Sequence, residues 1–197
     1  MIARRLVQST VPLTYLLAAW VLVDQGTGET GTRHALQGTA RLALVLFVLA
    51  FVARPLNELW STRVSAWLLA NRRTIGVCFG FSLSMHVWLI LWLFYLGRPH
   101  IPESVAMADI TIGIPGLIMV LLMLVTSVLW VRENLKTTTW QRLHTAGQYF
   151  VWFIFTADLI ENYTESVTPL PAIHYVPFIV ALMTVMAIRL GAVYLRR

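Results

Sequence analysis

Cysteine and lysine are the scarcest functional residues in this 197-residue chain: each occurs once, as Cys78 and Lys136. One cysteine excludes an intramolecular disulfide, a thiolate metal cluster and a Cys-x-x-Cys redox motif. Charge is scarce too. Asp, Glu, Lys and Arg make up 12% of the residues, about half the ~25% of a soluble domain. With 58% hydrophobic residues beside it, that excludes both a disordered chain and an ordinary water-soluble globule. There is no Gly-x-Gly-x-x-Gly, and no connecting stretch exceeds about twenty residues, so a built-in nicotinamide, flavin or soluble catalytic domain is excluded. No internal repeat and no low-complexity tract is present.

What remains is a series of apolar runs near the ~20 residues that a helix needs to cross a bilayer. Six are expected, at about residues 6–23, 38–55, 74–96, 112–131, 138–160 and 175–194. Pro55 is expected to end the second, and Gly97-Arg98-Pro99 the third. Arg4-Arg5 before the first run resembles a signal peptide, but no small-x-small cleavage site follows Val23, so a retained span is expected. Between the second and third runs, Leu56, Leu59, Trp60, Val64, Trp67 and Leu68 recur at helical spacing. Residues 56–71 are therefore expected to form an amphipathic helix along the membrane interface. The fold class expected is an all-α integral membrane protein: one domain over residues 1–197, a six-transmembrane-helix bundle with both termini on one side.

The cations set the orientation. Fourteen of the fifteen are arginine, and they sit at the ends of the apolar runs rather than in one basic face. Arg4, Arg5, Arg54, Arg63, Arg72, Arg73, Arg132, Lys136, Arg142, Arg196 and Arg197 fall on the side of the termini, against Arg33, Arg41 and Arg98 on the other. Arg189 lies within the last run and is not counted. By the positive-inside rule the termini are cytoplasmic. Asp24, Glu29, Glu103, Asp109, Glu161 and Glu165 then face outward.

Ionisable groups inside a span are costly and serve as functional hypotheses. His34, His100 and His174 fall in outer loops. His86, in contrast, lies twelve residues into the third run, ~18 Å from its inner end, and His144 lies near the inner end of the fifth. Two readings stay open from the residues alone. The imidazoles are either axial nitrogens for a b-type haem iron or hydrogen-bonded polar helix contacts. In the first reading Gly76, Gly80 and Gly147 give a flat macrocycle room, and Arg73 and Arg142, with Arg72, neutralise its propionates. In the second the glycines pack helices and the arginines anchor topology.

The run NRRTIGVCFGFSLSMH resembles the Arg-Arg-x-x-Gly…His segment of the ferric reductase-like transmembrane domain family. GTARLALVLFVLAFVARP, RPHI at 98–101, LMLVTS at 122–127 and WQRLH at 140–144 follow the order of that family's motifs over roughly residues 35–155. Length and motif order are similar to the haem-binding membrane subunits of bacterial methionine-sulfoxide reductase systems. The resemblance implies His86 and His144 as haem-iron ligands and a tyrosine-type loop position for His100. Family members carry a further histidine thirteen residues beyond the first on the fifth span. Here that position is Ala157, so one haem b per chain is expected rather than two, unless His100 or His174 supplies an outer ligand.

The function expected is an electron-transfer subunit of the bacterial inner membrane, carrying electrons rather than completing a reaction alone. Its donor would be a cytosolic flavin reductase (with FMN) or quinol, and its acceptor a periplasmic reductase, with methionine-sulfoxide reductase implied by the resemblance. A stand-alone ferric reductase is the neighbouring reading. A haem-free scaffold or transporter is the other class, with Gly113-Ile114-Pro115-Gly116 and Asp158 as its features.

Overall fold

The computed structural model describes residues 5, 8–96, 103–127, 131, 133–165 and 171–195; the side chains of 103–110, 165 and 172 lie outside that description. The described residues contain no strand. Among the described residues six long α-helices follow one another in the order of the six apolar runs: α1 Thr10–Gln25, α2 Glu29–Leu59, α3 Arg63–Tyr95, α4 Glu103–Val125, α5 Thr137–Glu165 and α6 Val176–Tyr194. A 3-10 turn, Ala172–His174, leads into α6. Among them α2, α3 and α6 are long and apolar enough to cross a membrane, while α1 and the Thr111–Val125 part of α4 are shorter apolar helices. At 1.5 Å per residue the 19 residues of α6 reach about 28 Å, the thickness of the hydrocarbon layer. The 31 and 33 residues of α2 and α3 reach well past it.

Two expected boundaries are corrected by this length. Pro55 does not end α2 but lies inside it. Proline removes the N–H that would bond the carbonyl four residues back, here Phe51. That carbonyl accepts Arg189 Nη1 at 3.2 Å instead, so the helix runs on without an orphaned acceptor. Residues 56–71 are not a separate surface helix either: 56–59 finish α2 and 63–71 open α3. The short link is closed by a reciprocal cap. Thr62 N–H donates to Ser65 Oγ at 2.9 Å, and Ser65 N–H returns to Thr62 Oγ1 at 3.2 Å. The apolar spacing of 56–71 is real, but it belongs to the ends of two longer helices.

The chain forms two compact units, residues 1–50 with 71–108 and residues 51–70 with 109–197. In the first unit α1 ends at Gly26, whose φ of 86° suits a residue without Cβ. The chain turns there, and α1, α2 and α3 share a core of Ala18, Ala35, Met85 and Leu89. Small residues and buried hydroxyls do the joining. Thr14 Oγ1 contacts Ser82 Oγ at 2.9 Å, and both side chains are fully buried. Such contacts are what holds helices together where lipid removes the hydrophobic drive between them, at ~0.6 kcal/mol each. In the second unit Trp152 Nε1 of α5 donates to the Leu182 carbonyl of α6 at 3.0 Å. Large apolar side chains such as Leu16, Trp20, Leu91, Phe153 and Leu190 are exposed, a surface suited to lipid and not to water.

Candidate functional site

His86 and His144 are each held by a threonine in, or just past the end of, a neighbouring helix. In the first unit Thr39 lies in the interior of α2 with its hydroxyl 2.9 Å from the Ala35 carbonyl and 3.0 Å from that of Leu36. A hydroxyl has one proton, and it is committed to those carbonyls. Its oxygen lone pair therefore accepts from His86 Nδ1, 3.2 Å away on α3. With the N–H on Nδ1 as that donor, a neutral imidazole carries its basic lone pair on Nε2. Anchoring Nδ1 and presenting Nε2 is the arrangement of a metal-ligating histidine with its supporting partner in place.

In the second unit Thr126 follows the last residue of α4, and its hydroxyl donates to the Leu122 carbonyl at 2.6 Å. Its oxygen lies 3.1 Å from His144 Nε2 on α5. By the same count of protons the N–H here is on Nε2. The Trp140 ring, one turn earlier, packs on His144 with centroids 4.1 Å apart and donates its Nε1–H to the Thr126 carbonyl at 3.0 Å. His144 thus offers Nε2 to an iron only after the ring turns away from Thr126, whereas the threonine contact of His86 is at Nδ1. Both residues fit a cofactor that needs single imidazole donors, the first directly and the second after a rotation.

The other expected site residues divide. Gly76 on α3 has nothing within 4 Å of where a Cβ would lie, so a flat group has room beside it. At Gly147 a Cβ would come 2.5 Å from Met123 Sδ and 3.1 Å from Met119 Cγ, so that face of α5 is occupied by α4. Arg73 and Arg142 are exposed. Arg142 lines an open groove of about 510 Å³ with Thr138, Gln141, Thr145 and Ala146. Arg72 donates Nε to the Ala50 carbonyl at 3.1 Å. Ala157 lines a second open groove, with Trp152, Phe153, Thr156, Ile160 and Glu161. His34 Nδ1 hydrogen-bonds Gln25 Oε1, and His174 is exposed. His100 lies outside the described residues. Among the described residues no three His, Cys, Asp or Glu side chains gather as a bare metal site.

Sequence reasoning passed over Arg189. Near the C-terminal end of α6, its Nε donates to Tyr149 Oη at 3.1 Å and its Nη1 to Gln148 Oε1 at 3.1 Å, besides the Phe51 carbonyl. Its guanidinium carbon lies 4.3 Å from the Phe51 ring centroid and 4.6 Å from that of Tyr149. All these partners are neutral. A lone arginine inside an apolar run was the signal that could have found it.

All-α architecture, helices long and apolar enough to cross a bilayer, and histidines fixed between helices define a membrane protein of the polar-core kind. The chain belongs to the ferric reductase like transmembrane component family, whose profile matches residues 37–156, a class with a redox, electron-carrying role in the membrane. Comparison with curated proteins and with solved structures gives no match.

Proposed function

We propose that the protein is a haem-binding electron-transfer subunit of a bacterial inner membrane, with one haem b per chain and His86 and His144 as the residues that would hold its iron. The observation that supports this reading is the Thr39–His86 pair, in which the threonine engages Nδ1 of the ring. It lies within the segment matched to the family. A bound haem would supply a reversible one-electron centre. The chain's own part is to hold that group: the two imidazoles as ligands, Gly76 as the opening beside a flat ring, and Arg73 and Arg142 as propionate partners. The exposed apolar surface keeps the site within lipid, away from water.

The donor proposed is a flavin reductase or quinol at the cytoplasmic side, where the positive-inside rule puts both termini. The acceptor lies at the outer face, and a periplasmic reductase of the methionine-sulfoxide type is the reading closest to the motif order. The test is the visible spectrum of the purified full-length protein, with a pyridine haemochrome assay for stoichiometry. A reducible Soret and α band at one haem per chain is expected, lost in both His86→Ala and His144→Ala while each variant still inserts. A flat spectrum after haem supplementation would overturn the reading, and full occupancy in either variant would remove that residue from the ligand set.

A further inference from the structure

We infer that Arg189 is the fixed positive charge that sets the reduction potential of the iron ligated by His144. The inference rests on the haem reading above and adds to it a residue outside the family-matched segment, 37–156. The chain of contacts lies wholly within the second unit. His144 and Gln148 are four residues apart on α5, one turn and one face. Gln148 Oε1 accepts Arg189 Nη1 at 3.1 Å, which brings the guanidinium to the turn next to the histidine.

The guanidinium is locked. Tyr149 Oη, Gln148 Oε1 and the Phe51 carbonyl hold Nε and Nη1, and the Phe51 and Tyr149 rings lie against its carbon. The Phe51 carbonyl is available only because Pro55, four residues on, has no N–H to offer it. The proline and the arginine are therefore two halves of one fixture. None of the partners carries charge. The ion pairs among the described residues are Arg33–Glu29 and Arg54–Glu58, and neither involves Arg189. Its full positive charge is thus turned on its surroundings in a region of low dielectric, where screening is weak.

Reduction of ferric to ferrous iron adds one electron and lowers the charge of the centre by one. A cation held in place nearby in both states favours the reduced form. At an effective dielectric near 20 the effect is about tenfold in the ratio of reduced to oxidised centre. Because the guanidinium is already held by protein acceptors, it does not need to reorganise when the electron arrives.

The experiment is a dithionite titration of the full-length haem-loaded protein in detergent, following the α band at a clamped potential. At the wild-type midpoint, Arg189→Gln should lower the reduced-to-oxidised ratio about tenfold, and Arg189→Lys should restore most of it. Gln148→Glu leaves the arginine and adds a carboxylate against it, and should lower the ratio in the same direction. That variant keeps the test decisive if Arg189→Gln fails to hold haem. An unchanged ratio in haem-loaded Arg189→Gln, or in Gln148→Glu, overturns the inference and reduces Arg189 to a packing contact at Pro55. Absence of any haem signal in the wild-type protein is a different outcome: it overturns the haem reading on which this inference rests.

Discussion

His86 and His144 are gripped alike and presented oppositely. In each case a threonine spends its proton on a carbonyl of its own helix and accepts from an imidazole on the neighbour. In the first unit the gripped nitrogen is Nδ1; in the second it is Nε2. The difference shows that a hydrogen-bonded histidine between helices is not by itself either a packing contact or a ligand. Which nitrogen is engaged decides whether the partner supports coordination or competes with it.

This contrast has a sharp consequence for the two threonines. Thr39→Val removes the partner that fixes the His86 tautomer, and supporting residues of that kind are worth ~10-fold or more in affinity. Thr126→Val removes a competitor for His144 Nε2, and relieving one hydrogen bond of ~1 kcal/mol should tighten binding by about fivefold. Haem titration of the apo-protein, followed at the Soret band, measures both. Opposite signs are expected; equal weakening by both variants would mean that the two pairs are not different in kind.

Much of this was legible in the sequence, and the illegible part has physical reasons. The apolar runs gave six helices in the right order because hydrophobic length is a local property. His86 and His144 were legible for the same reason, as ionisable groups among apolar neighbours. The threonines were not, because their partners are 47 and 18 residues away and only folding brings them together. Pro55 misled because the rule for prolines assumes that the freed carbonyl goes unpaired. Its acceptor role toward Arg189, 138 residues further along the chain, cannot be read from local composition. Arg189 itself escapes a count of loop charges, which has no place for a charge inside a helix.

The glycines extend the comparison of the two units at a smaller scale. A methyl group at Gly147 would press on Met123 and Met119, and displacing them should cost ~1–2 kcal/mol of stability. At Gly76 there is nothing to displace, and alanine gains up to ~1 kcal/mol in a helix. Denaturation of the apo-protein in detergent should therefore show Gly147→Ala less stable than wild type and Gly76→Ala equal or more stable. In the haem-loaded protein the second variant should lose its advantage, since the added methyl enters the space given to the cofactor. Stability gains that persist undiminished with haem bound would place the ring elsewhere.

The smallest expected effect separates the two threonines by where they sit in their helices. Thr39 is in the interior of α2, where the helix itself fixes its backbone and its hydroxyl. Thr126 lies one residue past the end of α4, with its N–H still on the Leu122 carbonyl at 3.0 Å. The Trp140 indole adds a second hold by donating to the Thr126 carbonyl at 3.0 Å while its ring packs on His144. Trp140→Phe keeps an aromatic ring but removes the donor, at a cost of ~1 kcal/mol. Stability should fall by about that much. The His144–Thr126 bond should loosen, so that haem affinity rises in the same direction as in Thr126→Val but by less. If Trp140→Phe instead weakened haem binding with stability unchanged, the indole would be acting on the bound ring and not on the turn that carries Thr126.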